Sequence, residues 1–281
     1  MFYIPIIGAI LEASGMTIEK IMLKTKSLNY KNYTVFGFLA IVLVMLPFVF
    51  FFWRIDPEAY SLKSLIILLI VIASAIAANL LTYYALKRES LSVIEPIRLM
   101  QPLLTIILAV ILYSSERTNP LIILLAIIAS ITLICSHIKK SHLVYDKYIL
   151  AALGGSLFFA IELVISKSIL PYYNSFTFYF IRCLIIFLVT LVIFKPEDKF
   201  NKKIKLTMLL TGTIWIIYRI ILYYGYESYG IVFTTILFIL TPIFVYIFAA
   251  LFLKEKLTLR QIISSIVILA CVVAAIIIQS Q

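Results

Sequence analysis

The feature that most constrains the fold is a series of apolar segments, each about 20 residues long, separated by short charged or turn-forming stretches. An α-helix needs about 20 predominantly apolar residues to cross the roughly 30 Å hydrocarbon core of a bilayer. A membrane β-barrel would instead show segments of about 10 residues with alternating polarity, and the sequence has none. The sequence therefore predicts an all-α integral membrane protein with ten transmembrane helices, at about 2–23, 34–53, 62–86, 91–113, 119–138, 147–169, 175–194, 204–226, 230–253 and 259–278.

The composition supports a membrane location and excludes other classes of protein. Apolar residues make up 64% of the 281 residues and charged residues only 13%, whereas soluble domains are about half apolar and about a quarter charged. The net charge of +11 lies in short loops beside anionic lipid headgroups, so it does not indicate nucleic-acid binding. We expect a multi-pass protein of the cell membrane, a monomer or homodimer, whose partners are membrane lipids and a small-molecule solute.

An internal duplication divides the ten segments into two sets of five. Matching groups occur in the same order at offsets of 139, 140 or 147: Glu19-Lys20 with Ser166-Lys167, Tyr83-Tyr84 with Tyr223-Tyr224, Gln101-Pro102 with Thr241-Pro242, and Ser115-Glu116-Arg117 with Lys254-Glu255-Lys256. These matches predict a first five-helix repeat at 1–140 and a second at 141–281. Because five is odd, the second repeat enters the membrane in the opposite sense. Secondary transporters use such inverted repeats, with a solute site near the midplane and alternating access to it.

The charge of the loops predicts an orientation in the membrane. The connections between segments 1–2, 3–4, 5–6, 7–8 and 9–10 carry sixteen Lys and Arg residues, whereas the opposite side carries only Arg54, Lys63 and Arg117. Basic residues are enriched in cytoplasmic loops. The count therefore predicts that the sixteen basic residues lie in the cytoplasm and that both termini lie outside.

The repeats and their closing motifs resemble the EamA-type branch of the drug/metabolite transporter superfamily. The resemblance covers essentially the whole chain and is sharpest in TPIFVYIFAALFLKEKLTLRQIISSIVILACVV, from Thr241 to Val273, while Phe180-Ile181-Arg182 resembles the arginine of the family's seventh span. The resemblance implies transport of small metabolites, often export of amino acids or nucleosides, or exchange of phosphorylated sugars. It also implies cytoplasmic termini, opposite to the charge count.

Several charged side chains lie inside the apolar segments, where each costs at least about 2.5–3.5 kcal/mol to insert and is expected to face a cavity or a partner. Glu12 and Glu19 are seven residues apart and therefore share one helix face, and Glu162 holds a comparable depth in the sixth segment. In the fourth segment, Glu95 and Arg98 share a face with either Gln101 or Pro102. An ion pair between Glu95 and Arg98 within the helix is the alternative to a cavity-facing role.

Aromatic, polar and proline residues complete the set of candidates. The eighth segment carries Trp215, Tyr218 and Arg219, which indicate either a solute-binding stripe or an aromatic belt facing lipid. Prolines interrupt backbone hydrogen bonding in both repeats. The predicted solute-binding residues are Glu12, Asn79, Tyr83, Glu95, Arg98, Gln101, Glu162, Trp215, Tyr218 and Arg219, and the predicted coupling or gating residues are Glu19, Pro102, Arg182 and Pro242.

This inventory predicts the kind of solute and the source of energy. Carboxylates and cationic side chains are present in similar number within the segments, which suits a zwitterion such as an amino acid. Neither an ATP-binding P-loop nor a metal-ligating cluster occurs, so we expect no cofactor and a gradient as the driving force, with Glu12 or Glu162 as a possible proton carrier. A membrane enzyme is disfavoured because no paired acidic motif lies in any segment, and a channel or a solute-binding receptor is the alternative function.

Overall fold

The computed structural model describes residues 3–23, 29–88, 97–137, 147–197, 200–253 and 258–280, and these are almost entirely helical. Short 3₁₀ turns lie at Pro57–Tyr60, Ser114–Arg117 and Leu170–Tyr172. The α-helices of the described residues are α1 (Tyr3–Leu23), α2 (Tyr30–Phe52), α3 (Leu62–Arg88), α4 (Met100–Leu112), α5 (Pro120–His137), α6 (Lys147–Ser166), α7 (Ser175–Phe194), α8 (Lys202–Tyr229), α9 (Ile231–Phe238), α10 (Thr241–Leu253) and α11 (Leu259–Gln279).

A helix occupies each of the ten predicted segments, and α9 and α10 together occupy the ninth. Seven helical stretches of the described part of the chain are long and apolar enough to cross a membrane: 30–52, 62–85, 147–166, 175–194, 202–229, 231–248, which joins α9 to part of α10, and 259–279. Helices α4 and α5 are apolar but shorter, and α1 carries two glutamates and a lysine. The chain is thus an all-helical multi-pass membrane protein, and the number of ten crossings stays a prediction.

Side-chain caps fix where several helices begin. Asn29, Asn174 and Asn201 lie just before α2, α7 and α8, and each side chain accepts a hydrogen bond from a backbone N–H of the first turn. Thr258 and Gln261 form a reciprocal capping box at the start of α11. Because the first N–H groups of a helix have no partner within it, these polar residues satisfy donors that lipid could not.

Both repeats interrupt a helix at equivalent places. Leu99 precedes α4 with φ −69° and ψ −7°, and Ile239 follows α9 with nearly the same backbone, φ −63° and ψ −11°. The two residues are 140 apart, the offset that relates the two prolines. Pro102 and Pro242 therefore lie in the first turn of α4 and α10, after the interruption, where a missing N–H removes no bond within the helix.

The packing of the helices has the same pattern in both repeats. Helix α2 packs on α7, its equivalent in the other repeat, and α5 likewise packs on its equivalent, α11. When the two repeats are exchanged, the packed pair α3–α6 corresponds to the packed pair α8–α1. In the same way, the pair α4–α6 corresponds to the pair α10–α1. The pairing of helices thus follows the duplication seen in the sequence.

Hydrogen bonds tie together the connections at one end of the bundle. The Asp56 N–H donates to the Tyr172 carbonyl at 2.8 Å, and the Arg54 N–H donates to Thr177 Oγ1 at 3.0 Å. Ile55 and Tyr173 form an isolated antiparallel bridge beside them. The α2–α3 and α6–α7 connections are therefore held against each other.

Glu116 extends this closure to the remaining two connections at the same end. Its carboxylate accepts the Ile231 and Val232 N–H groups at 2.8 and 3.0 Å, at the beginning of α9, and forms an ion pair with Lys167. Gly230 has φ +87°, and a Cβ there would lie 3.0 Å from Glu116 Oε1. A glycine is required at this point both by the positive φ and by the close approach of the carboxylate.

Candidate functional site

A cavity of about 90 Å³ lies among helices from both repeats. Its lining is mainly polar or aromatic: Glu12, Glu19, Phe38, Ile41, Asn79, Thr82, Tyr83, Arg98, Gln101, Phe159, Tyr179, Arg182, Trp215, Tyr218 and Arg219. Most of the residues predicted from the sequence are therefore brought to one place. They come together because α1 packs on α8 and α3 packs on α6, which turns the polar stripes of these helices inward.

Glu12 joins the two repeats through neutral hydroxyl groups. Tyr218 Oη donates to Glu12 Oε1 at 3.1 Å, and Thr241 Oγ1 donates to Glu12 Oε2 at 2.7 Å. Hydrogen bonds to an ionised acceptor are stronger than neutral ones, so these two donors stabilise the carboxylate. Each oxygen keeps further lone pairs that can accept other hydrogen bonds.

Glu19 lies seven residues after Glu12 on the same face of α1, and hydroxyl groups also hold its carboxylate. Its Oε1 accepts from Tyr83 Oη at 2.8 Å and from Tyr33 Oη at 3.0 Å, and the two tyrosine rings meet edge to face at 5.1 Å. A smaller cavity of about 30 Å³ adjoins Glu19 and continues past Thr34 toward Met208, near the beginnings of α2 and α8.

Glu162 lies behind the cavity wall and does not line it. Its side chain is fully buried, with Oε1 3.0 Å from Arg182 Nε and Oε2 3.3 Å from Arg219 Nη1. Tyr223 Oη adds a long hydrogen bond to Glu162 Oε1 at 3.4 Å. One carboxylate thus serves two arginines from different helices, and both arginines line the cavity.

The two arginines also stack on tyrosine rings. Arg182 lies 5.7 Å from the centre of the Tyr179 ring, and Arg219 lies 5.8 Å from that of Tyr218 and 5.9 Å from that of Tyr223. Such cation–π contacts contribute about 0.5–2 kcal/mol each. Arg182 is only 2% exposed, so it does not extend to the membrane surface.

Arg98 and Gln101 line the cavity at the beginning of α4. Within the described part of the chain, no ion pair or hydrogen bond is made by the Arg98 guanidinium. Glu95, and with it the predicted Glu95–Arg98 pair, lies outside the described residues. Arg98 is therefore a half-buried cation whose guanidinium faces the cavity space.

The remaining predicted residues occupy different positions. Asn79 lines the cavity while its amide donates to the Ala75 carbonyl at 2.7 Å. Trp215 lines the cavity and meets Tyr218 edge to face, so this part of the aromatic stripe faces inward, whereas Tyr224 is exposed. Pro102 and Pro242 are not among the lining residues.

Sequence reasoning missed several residues of the site, notably Tyr179, Thr82, Tyr33 and Thr241. Tyr179 precedes Arg182 by three residues and shares its helix face, and Thr241 occupies the position of Gln101 in the repeat. These two relations were available signals. Tyr33 offers none, because it is an aromatic residue near a helix end. Among the described residues, no group of three or more His, Cys, Asp or Glu side chains is arranged to hold a metal ion.

Comparisons with known proteins agree with this architecture. The model of the EamA-like transporter family matches residues 1–136 and 146–277. One solved structure, described only as "Crystal structure of protein", aligns with 100% of this chain and 97% of its own chain at a TM-score of 0.74 and 14% sequence identity. At that identity the likeness shows the fold alone. No curated protein matches the chain in sequence.

Proposed function

The chain belongs to the EamA-like transporter family, and from this premise we propose that it is a secondary transporter of small zwitterionic solutes such as amino acids. The family consists of membrane transporters with an internal repeat, not of enzymes. The solute, its coupling and the transport cycle are the parts that belong to the proposal.

The observation that carries the proposal is the division of charge within one cavity. Glu12 and Glu19 line it from α1, and Arg182 and Arg219 line it from α7 and α8, with Arg98 just before α4. The ammonium group of a solute can donate hydrogen bonds to the free lone pairs of Glu12, while its carboxylate can accept them from a guanidinium, which has donors and no acceptor. A solute with a single charge would pair with either the acidic or the basic residues of the cavity, but not with both.

The size of the cavity favours a small solute. A water takes up about 30 Å³ in the liquid, so a cavity of about 90 Å³ holds only a few waters. Amino acids with short side chains are the smallest zwitterions of the proposed class, so they are favoured over amino acids with long side chains.

Alternating access is supported by the pairing of the helices and by the closure at one end. The exchange-related pairs α1–α8 and α3–α6 surround the cavity, so a rocking motion at one pair has an equivalent at the other. Glu116, Lys167 and the beginning of α9 bind the connections at one end together. Opening that end requires these bonds to separate, while a gradient of protons or of a counter-solute supplies the energy.

Solute counterflow tests this proposal. Purified protein in liposomes loaded with a mixture of unlabelled amino acids is expected to accumulate labelled alanine from outside, and external amino acids are expected to compete. Glu12→Gln should lower the initial rate more than about tenfold, because an amide cannot supply the negative charge that the solute ammonium binds. Glu58→Gln, at an exposed glutamate of the closed end, is the matched control.

Two results would contradict the proposal. Flux that neither saturates nor responds to solute on the opposite side would indicate a channel. Binding of amino acids to the purified protein without flux in liposomes would indicate a receptor.

A further inference from the structure

We propose that Glu162, a residue that does not face the cavity, determines which charge of solute the cavity accepts. The inference rests on the proposed transport function and adds a specificity-determining residue to it. Glu162 acts through Arg182 and Arg219, so it is a positioning and charge-balancing residue, not one that touches the solute.

The geometry places one carboxylate against two guanidiniums. Arg182 Nε and Arg219 Nη1 lie 3.0 and 3.3 Å from the two different oxygens of Glu162. The carboxylate has no exposed surface, and the arginines are 2% and 8% exposed, so solvent screens these three charges much less than it would at the protein surface. Both arginines reach the cavity, while Glu162 is behind them.

The sum of charges around the cavity depends on Glu162. Within the described part of the chain, six charged groups line the cavity or pair with a lining residue: Glu12, Glu19, Glu162, Arg98, Arg182 and Arg219. Three are acidic and three are basic, so their formal charges sum to zero when all are ionised. Neutralising Glu162 alone leaves a sum of +1 over the six groups and raises the charge of the cluster with Arg182 and Arg219 from +1 to +2.

A sum of zero suits a solute whose own charges sum to zero. A zwitterion adds no net charge to the buried site, whereas a monoanion or a monocation leaves one buried charge uncompensated, which is costly in a medium of low dielectric constant. Glu162 is positioned to set this balance because it neutralises one of two cationic side chains while leaving both able to donate hydrogen bonds into the cavity.

A simple structural pair would be built differently. Two buried arginines beside one carboxylate leave one positive charge over, and apolar residues of the same volume often give equal or greater stability than a buried ion pair. Stability alone therefore does not account for the cluster. A charge-setting function explains both the second arginine and its exposure to the cavity.

The test compares three probes of nearly equal size that differ in charge. Alanine is a zwitterion, propionate lacks its amine, and ethylamine lacks its carboxylate. Stabilisation of the purified protein in detergent by each probe follows mass action, so thermal shifts over a concentration series give relative affinities. The variants are Glu162→Gln, Arg182→Gln and the double variant with both changes, with Glu58→Gln as the control.

The expected result is a change of preference that follows the charge sum. Glu162→Gln should raise the affinity for propionate relative to alanine on the order of tenfold. Arg182→Gln should shift the preference toward ethylamine by a similar factor, and the double variant, whose sum is again zero, should return to the wild-type order. Glu58→Gln should leave the order unchanged.

A purely structural role for Glu162 predicts a different pattern. Loosened packing would weaken all three probes alike, and the double variant would bind no better than either single variant. An unchanged preference in Glu162→Gln, or a double variant that does not return to the wild-type order, would overturn the proposal. If Glu162→Gln does not fold, Arg182→Gln and the double variant decide the question, because equal preferences in these two contradict it.

The outcome is separable from that of the proposed function. Failure of the wild-type protein to exchange amino acids in liposomes would refute the transport of zwitterions. The affinity for propionate in the variants relative to the wild type is read without transport, so it still decides whether Glu162 sets the charge preference of the cavity.

Discussion

Helices α1 and α6 occupy equivalent places in the two repeats, and both carry buried carboxylates in opposite kinds of environment. Glu12 and Glu19 of α1 line the cavity and accept hydrogen bonds from tyrosine and threonine hydroxyls. Glu162 of α6 lies behind the wall and is ion-paired with two arginines. At the offset of 147 that relates Lys20 to Lys167, the counterpart of Glu162 is Gly15, so the duplication did not conserve the charge.

The difference lies in the kind of hydrogen-bond partner that each helix gives its carboxylates. A hydroxyl can donate to a carboxylate and can also accept from another donor, so the partners of Glu12 and Glu19 tolerate a change of charge or the arrival of an ammonium group. A guanidinium has only donors, so Arg182 and Arg219 require an acceptor that stays in place. We therefore expect exchange of partners at α1 and a fixed charge at α6.

The largest effect is expected from removal of the carboxylate at α6. Glu162→Ala leaves two buried guanidiniums without their acceptor, and breaking a buried ion pair by removing one partner costs about 3–5 kcal/mol. The free energy of unfolding, measured in mixed micelles by the fluorescence of the tryptophans, should fall by that amount. A loss below about 1 kcal/mol would show that water reaches the cluster of Glu162 and its two arginines. The environments of the carboxylates on α1 and α6 would then not differ in the way described.

A smaller loss is expected when one donor to Glu19 is removed. Tyr83→Phe and Tyr33→Phe each delete one hydroxyl that bonds a buried carboxylate, at 2.8 and 3.0 Å, while the edge-to-face packing of the rings remains. Hydrogen bonds to charged groups contribute about 1.5–3 kcal/mol. The same unfolding measurement should show a loss in this range for each variant, with Tyr60→Phe, at an exposed tyrosine, as the control. If both variants have the same free energy of unfolding as the wild type, these hydrogen bonds to Glu19 do not stabilise the protein.

The smallest effect on stability is expected at Glu12. In Glu12→Gln the amide oxygen can accept from Tyr218 while the amide N–H can donate to the Thr241 hydroxyl, so both contacts survive with a loss of about 0.5–1 kcal/mol. The same substitution at Glu162 turns an amide N–H toward an arginine, which cannot accept it, and should cost more. Equal losses of unfolding free energy in the two variants would contradict the distinction between the helices.

Parts of the site were predictable from the sequence because charges inside apolar segments are costly. Glu12, Glu19, Arg98, Arg182 and Arg219 had to face a cavity or a partner, and the structure places them all at one cavity. The internal repeat was also visible, since its matches occur in the same order at similar offsets of 139 to 147 residues. The interruption before each proline was only partly foreseen, because the sequence marks the proline and not the preceding Leu99 or Ile239 at which the regular helix is interrupted.

The sequence by itself determined the helices, their duplication and the polar stripes, because helix length and periodicity follow from local chemistry and from the thickness of the membrane. Only the tertiary structure decided which partner each charge has. A stripe fixes the face of one helix, but the pairing of Glu162 with Arg182 and Arg219 depends on how α6, α7 and α8 meet across residues far apart in the chain. That packing separates a carboxylate that faces the cavity from one held by arginines, although the two residues look alike in the sequence.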